Sequence, residues 1–193
     1  MDDDNLGGQS ANVLVVCTAN QARSPVAEVL LEHALRAPGL SVSSAGVRAR
    51  DGLSAAEMAV ELAAARGLDL SQHRSRRVTP DLVAQSDLIL TMSERQRDHC
   101  AGLAAGAGSR TFTLREFVRL LDAAKVSGGP VTTTDRLRWL RGQAHVARPV
   151  AIRPPDPEDL ADPINEPWSV WQQLGNELDH LVDRIRRAVD DGE

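Results

Sequence analysis

Short apolar runs alternate along this chain with segments whose apolar residues recur at three- and four-residue steps. The runs predict buried strands at residues 13–16, 40–44, 87–92 and 111–114. The periodic segments predict helices at residues 25–36, 54–66 and 93–104, with a short helix after the Thr79-Pro80 pair. Because strands and helices alternate, we predict an α/β fold: a single-domain three-layer sandwich whose four-stranded, mostly parallel sheet has helices on both faces.

The second half of the chain predicts mostly helix. Apolar residues recur from Trp168 to Val189, so this last segment should be a helix that packs on the sheet. Residues 115–155 are interpreted as an extra helical insertion, rich in arginine. Five of its arginines make its second half locally basic: Arg136, Arg138, Arg141, Arg148 and Arg153. Two hypotheses for it stay open: a flap beside the active site that selects a larger or anionic substrate, or a solvated charged face.

Composition fits one enzyme domain. A chain of 193 residues can bury one substantial core, which we place at residues 11–190, after a disordered segment at 1–10. The net charge of −5 argues against a nucleic-acid partner. No apolar run reaches membrane-spanning length, and the Met1-Asp-Asp-Asp start is not typical of a secretory signal. With only two cysteines, these features predict a reducing, cytoplasmic location.

The candidate chemistry lies in one loop, Cys17-Thr-Ala-Asn-Gln-Ala-Arg23-Ser24-Pro25, between the first strand and the first helix. Backbone N–H groups in front of a helix converge on a single point, and the helix dipole adds positive potential there, which suits a phosphate dianion. The Arg23 guanidinium can donate two parallel hydrogen bonds to phosphate oxygens. The same field favours thiolate over thiol at Cys17. The predicted phosphate-binding residues are Thr18, Ala19, Asn20, Gln21, Ala22 and Ser24. The alternative is a buried cysteine that merely packs at a strand end.

At these residues the chain resembles the low-molecular-weight protein tyrosine phosphatase family, whose loop reads Cys-x-Gly-Asn-x-x-Arg-Ser/Thr. Further segments fit the same family, at residues 43–46, 67–75, 87–92 and 162–163. The resemblance covers nearly all of residues 11–108 and again 160–190. It implies a phosphomonoester hydrolase that acts through a cysteinyl-phosphate intermediate on a phosphorylated protein, with phosphotyrosine as the expected residue. No metal or other cofactor is implied, and the scattered histidines and cysteines show no metal-ligand spacing.

Such a reaction needs an acid for the leaving oxygen and a base for the attacking water. The candidate for both roles is Asp162, in an Asp-Pro pair ahead of the last helix, with Asp156 as the competing candidate. The resemblance favours Asp162. It also implies that Ser44 holds Asn20 in an unusual backbone conformation, although an ordinary strand-end serine is the equal alternative. His73 is interpreted either as a support of the loop or as a partly exposed loop residue.

Departures from the family pattern leave the substrate open. Ala19 replaces the loop glycine, and Ile164 replaces the aromatic residue that usually follows the Asp-Pro pair, although Trp168 could substitute for that aromatic. Gln21 stands where the tyrosine phosphatases usually carry an apolar residue and the arginine phosphatases a small hydroxyl residue.

Two other functions remain as alternatives. One is a thiol-dependent arsenate reductase, which would need either a relay through Cys100 or an external thiol. This relay is predicted to be incomplete, since Ser93 stands where a partner cysteine would be expected. The other is a catalytically weak phosphate-binding regulator.

Overall fold

The computed structural model describes residues 10–191, and four parallel strands form its centre. The strands are β1 (Ala11–Cys17), β2 (Leu40–Gly46), β3 (Leu88–Thr91) and β4 (Thr111–Thr113), arranged in the order β2-β1-β3-β4. β1 pairs with β2 and with β3, so it lies inside the sheet and is buried along nearly all of its length. The predicted α/β fold with a four-stranded parallel sheet is confirmed. The segment predicted to be disordered, 1–10, lies outside the described residues except for Ser10.

Seven α-helices follow in the part of the chain that the structure describes. They are α1 (Arg23–Leu35), α2 (Glu57–Ala64), α3 (Pro80–Gln85), α4 (Glu94–Ala101), α5 (Leu114–Ala124), α6 (Thr133–Ala147) and α7 (Trp168–Asp190). Thr79 caps α3 by accepting a hydrogen bond from the Leu82 N–H, with Pro80 at the first helical position, as the Thr-Pro pair predicts. α2 begins three residues later than predicted, because Ala56 is extended and donates its N–H to the Gln21 carbonyl.

Two apolar cores lie on opposite faces of the sheet, because successive side chains of a strand point to opposite sides. Val15 and Cys17 of β1 belong to the larger core, which α1, α2, α5, α6 and α7 complete. Leu14 and Val16 belong to the smaller core beneath α3 and α4. Within residues 10–191, no helix is both long and apolar enough to span a bilayer.

The predicted insertion contributes most of α5 and all of α6, and α6 packs against α5 and α7. Arg138 reaches the Asp87 carboxylate at 3.0 Å and the Ser10 carbonyl, so it lies at the edge of the sheet opposite Cys17. Arg136 is fully buried and donates to the Ala188 carbonyl at 2.9 Å. Neither Arg136 nor Arg138 therefore lies on a solvated face, and both hypotheses for the whole insertion stay predictions.

Candidate active site

Cys17 is the last residue of β1 and α1 begins at Arg23, so residues 18–22 form a tight connection that we call the phosphate loop. The Cys17 side chain is buried, with 2% of its surface exposed. Its Sγ lies 3.2 Å from the Asn20 backbone N and 3.0 Å from the Ser24 Oγ, and both groups donate hydrogen bonds to it. Two donors aimed at one sulfur stabilise the anionic thiolate.

Asn20 holds the shape of the phosphate loop. Its φ of 57° lies in the left-handed region, which is unfavourable for a residue with a Cβ. The Asn20 side-chain amide donates to Ser24 Oγ at 3.1 Å and to Ser44 Oγ at 2.7 Å, while its Oδ1 accepts from the Arg76 N–H at 2.9 Å. His73 Nε2 lies 2.8 Å from the Asn20 carbonyl oxygen. The structure thus brings both predicted support residues, Ser44 and His73, against Asn20.

Arg76 and Glu28 complete this network, and sequence analysis did not single them out as site residues. Arg76 is half-buried and donates from Nε to the Ser44 carbonyl at 2.8 Å. Glu28 accepts a hydrogen bond from Ser44 Oγ and lies 4.0 Å from His73 Nδ1. Burial raises the pKa of the Glu28 carboxyl, although the Ser44 hydroxyl and His73 oppose the shift. The only sequence signal for Glu28 was its position four residues after Ser24, on the same helix face.

Gly46 and Gln96 also touch the phosphate loop and were not predicted as site residues. A Cβ on Gly46 would lie 2.6 Å from the Thr18 carbonyl oxygen and 2.8 Å from the Asn20 N, so only glycine allows this close approach. The Gln96 amide donates to Thr18 Oγ1 at 3.1 Å, and its oxygen accepts from the Met92 N–H at 3.0 Å. The glycine after β2 was a possible signal, whereas nothing in the sequence pointed to Gln96.

Arg23 and Asp162 meet although 139 positions separate them in the chain. Arg23 is 6% exposed; it forms an ion pair with the Asp162 carboxylate and donates from Nη1 to the Leu160 carbonyl at 3.1 Å. Half of the Asp162 side-chain surface remains exposed, so this carboxyl faces the opening of the site. Asp156 instead lies in a separate recess beside Arg115 and His180. The geometry therefore favours Asp162 over Asp156 as the acid.

The remaining loop residues differ in how far they face outwards. Ala22 is buried, whereas Thr18, Ala19 and Gln21 are half-buried. Among the described residues of this loop only Asn20 has a positive φ, so Ala19 takes the place of the family's glycine without left-handed strain. The Gln21 amide donates to the Ser54 carbonyl at 2.9 Å, which ties the outer edge of the loop to the segment before α2.

A family model described as low molecular weight phosphotyrosine protein phosphatase matches residues 12–128. The chain belongs to this family. It is 41% identical over 104 residues to a probable low molecular weight protein-tyrosine-phosphatase, EpsP, of Ralstonia nicotianae, covering 54% of this chain and 70% of that protein. It is 28% identical over 177 residues to a protein-arginine-phosphatase of Geobacillus stearothermophilus, covering 92% of this chain and 95% of that protein. As a member of this family, the chain is a phosphatase.

Two solved structures extend the likeness over nearly the whole chain. The YwlE arginine phosphatase of Geobacillus stearothermophilus superposes with a TM-score of 0.67 at 27% identity, covering 92% of this chain and 91% of that one. A low molecular weight protein tyrosine phosphatase from T. tengcongensis superposes with a TM-score of 0.65 at 27% identity, covering 91% of this chain and 97% of that one.

The second cysteine of this phosphatase cannot relay oxidation from the first. Cys100 is fully buried in the smaller core, whereas Cys17 belongs to the larger core on the other face of the sheet. Burial raises the pKa of the Cys100 thiol to about 12, which keeps it protonated and unreactive. The structure therefore contradicts the version of arsenate reduction that uses Cys100.

Two exposed apolar side chains lie close in sequence to residues of the phosphatase site. Leu53 precedes the Ser54 carbonyl that bonds Gln21, and Ile164 follows Asp162 by two residues; they are 40% and 42% exposed. Trp168 does not substitute for an aromatic wall. It lines a shallow recess with residues at the end of α2, away from the phosphate loop. Within residues 10–191, no group of three metal-ligating side chains comes together.

Proposed function

We propose that this chain removes phosphoryl groups from phosphorylated protein side chains through a cysteinyl-phosphate intermediate. The observation that carries the proposal is the convergence of three groups on one point. Cys17 Sγ faces two hydrogen-bond donors, Arg23 stands at the start of α1, and the Asp162 carboxylate contacts Arg23. The relatives named as protein phosphatases support a phosphoprotein as the substrate. A cytoplasmic location belongs to this proposal, because a catalytic thiolate needs a reducing compartment.

In the first step the Cys17 thiolate attacks phosphorus, the S–P bond forms and the bond from phosphorus to the leaving oxygen breaks. Protonated Asp162 gives its proton to that leaving oxygen. The N–H groups of residues 18–23 and the Arg23 guanidinium stabilise the charge spread over the phosphoryl oxygens. A phosphoryl group bound to Arg23 competes with Asp162 for the same guanidinium, which releases the carboxyl for proton transfer.

In the second step a water molecule attacks the phosphorus of the intermediate. The Asp162 carboxylate accepts a proton from this water, the S–P bond breaks, and the Cys17 thiolate and inorganic phosphate are released. Ser24 stabilises the departing thiolate, because its hydroxyl donates to Cys17 Sγ at 3.0 Å. Each side chain therefore ends the cycle in the state in which it began.

For the substrate residue we propose phosphotyrosine. Leu53 and Ile164, each within two residues of a residue that contacts the phosphate loop or Arg23, are exposed apolar side chains of the kind that pack on a phenyl ring. Phosphoarginine is the second candidate, because the Geobacillus protein-arginine-phosphatase is similar over 92% of this chain. Gln21 lies at the outer edge of the loop, where the two substrate classes differ in the family pattern.

The first test measures hydrolysis of para-nitrophenyl phosphate at mildly acidic pH. We expect turnover that Cys17→Ser abolishes and that Asp162→Asn lowers by roughly 100-fold or more, since general acid catalysis contributes about that much. Asp156→Asn is the matched control and should change kcat by less than about twofold. Equal losses in the two aspartate variants would contradict the assignment of Asp162.

A second measurement separates the substrates and the other function classes. Peptides that differ only in carrying phosphotyrosine or phosphoarginine are compared by kcat/KM, and a higher value for phosphoarginine would overturn the phosphotyrosine proposal. Failure to hydrolyse any phosphate ester, combined with tight vanadate binding, would replace hydrolysis with phosphate sensing. Arsenate reduction driven by a small external thiol, in the absence of phosphatase turnover, would replace it with the reductase.

A further inference from the structure

A surface recess of about 320 Å³ opens beside the phosphate loop, between the segment that follows β2 and the start of α4. Thr18 of the phosphate loop lines one side, and Arg48, Arg77, Arg95 and His99 line much of the rest. Within the described part of the chain, none of its lining residues carries a carboxylate. We call it the arginine recess.

The three arginines come from three separate segments, each joined to the phosphate loop or to its neighbour. Arg48 donates its backbone N–H to the Thr18 carbonyl at 2.8 Å. Arg77 forms an isolated β-bridge with Gly46, the residue against which the loop packs. Arg95 precedes Gln96, whose side chain donates to Thr18 Oγ1 at 3.1 Å. The recess is therefore built on the same contacts that shape the active site.

The guanidinium groups of this recess are available for binding. Arg48, Arg77 and Arg95 are all exposed, and within residues 10–191 none of them forms an ion pair. The acidic residues nearby do not pair with these guanidinium groups. Asp51 accepts a hydrogen bond from the Arg77 backbone N–H at 2.7 Å, and Glu94 pairs with Arg153.

Three unpaired positive charges in one recess are notable in a chain whose net charge is −5. Within residues 10–191, Arg48, Arg77 and Arg95 are among several exposed arginines that form no ion pair, and these three share a recess with Thr18 of the phosphate loop. Their unpaired guanidinium groups produce a local positive field directed at anything bound near Thr18.

We propose that the arginine recess binds acidic side chains on one flank of the phosphorylated residue, so that the phosphatase selects acidic segments of its protein substrates. This inference rests on the proposed function and names its substrate class more closely. The phosphoryl group occupies the phosphate loop, while carboxylates a few residues away along the extended substrate reach the guanidinium groups. The preference is directional, because the recess lies on one side of the loop only.

The test uses three phosphopeptides of equal length, which carry whichever phosphorylated residue is turned over faster. One has three glutamates on the amino side of that residue, one has them on the carboxyl side, and one has glutamines throughout. We expect kcat/KM to be about tenfold higher for one of the two acidic peptides at low ionic strength, since exposed charge pairs are individually weak. Added salt should reduce this preference, because it screens the attraction between the glutamates and the guanidinium groups.

The decisive variant combines Arg48→Gln, Arg77→Gln and Arg95→Gln. In this variant the ratio of kcat/KM between the preferred acidic peptide and the glutamine peptide should fall to near one. The control, Arg36→Gln, Arg184→Gln and Arg187→Gln, removes the same charge far from the phosphate loop and should keep the ratio. An equal gain for both acidic peptides, or a ratio kept by the recess variant, would overturn the proposal.

Failure of the inference is distinguishable from failure of the proposed function. If all three peptides are hydrolysed at equal rates, the proposed phosphatase activity stands and the proposed binding of acidic side chains by the recess is wrong. If no peptide is hydrolysed, the affinities of the three peptides for the Cys17→Ser chain still test the recess. Equal affinities would then contradict it independently of catalysis.

Discussion

The phosphate loop and the acid loop, residues 157–167, meet at the same site but are held in different ways. The phosphate loop is bonded from several directions, by Ser44, His73, Arg76 and Gln96. In the acid loop most contacts lie ahead of Asp162, Asp162 itself pairs with Arg23, and the four residues that follow Pro163 are exposed. The group that must present fixed N–H donors to phosphate is thus held more firmly than the group that gives and then takes a proton.

The anchors of the acid loop are few and specific. Arg119 forms two hydrogen bonds with the Glu158 carboxylate, at 2.7 and 2.9 Å, and Glu158 is 5% exposed. The Asp159 carboxylate accepts from the Glu94 N–H at 2.7 Å, at the first turn of α4. The Leu160 N–H donates to the Met92 carbonyl at 2.8 Å, which continues the line of β3. These contacts place Leu160 where its own carbonyl accepts from Arg23.

Gly46→Ala should have the largest effect, because it acts on the phosphate loop, the more firmly held of the two loops. The new Cβ would lie 2.6 Å from the Thr18 carbonyl oxygen, so the loop must shift. Since displacements of about 1 Å can cost roughly 100-fold in rate, we expect kcat/KM to fall by about that factor. Gly142→Ala is the control: its Cβ meets open space, and activity should be unchanged. A Gly46→Ala chain with normal activity would show that the loop is softer than its contacts indicate.

Arg119→Met should act on the acid loop alone. It leaves the buried Glu158 carboxylate without its partner, so the free energy of unfolding should fall by about 2–3 kcal/mol and kcat by roughly tenfold. Because Arg119 acts by positioning the loop, the loss should fall on kcat more than on KM, and Arg119→Lys should restore part of it. Arg115→Met, which removes a more exposed pair with Glu177, is the control and should cost under about 1 kcal/mol. Similar effects of the two substitutions would contradict a special role for Arg119.

Glu28→Gln should have the smallest effect and tests the network behind the phosphate loop. Because burial raises the Glu28 pKa, the folded chain holds this proton at pH values where the unfolded chain has lost it. The contribution of this carboxyl to stability therefore falls as pH rises from its ordinary pKa, about 4.3, through the raised value.

The glutamine variant should lose this dependence, so its free energy of unfolding should change less with pH over that window. The difference should be under about 1 kcal/mol at neutral pH, and chemical denaturation at several pH values measures it. A variant that loses stability more steeply than the native chain as pH rises through the same window would contradict the sign of this shift.

Sequence reasoning performed best where the signal was local. The apolar run ahead of Cys17 and the helical pattern after it predicted the strand, the loop and the helix, because each depends on neighbours in the chain. It performed worst for charged side chains. Arg76 was not singled out and Arg136 was left open between a flap and a solvated face, yet both donate hydrogen bonds to backbone carbonyls of distant segments, at Ser44 and Ala188.

The sequence alone determined the α/β sheet, the family resemblance and the loop that carries Cys17 and Arg23, because strand pattern, helix pattern and motif are all written in short stretches of residues. Only the tertiary structure brought Asp162, and not Asp156, to Arg23, brought Glu28 and Gly46 to the phosphate loop, and packed α6 against α5 and α7. These outcomes depend on contacts between residues far apart in the chain, where no local preference specifies the partner.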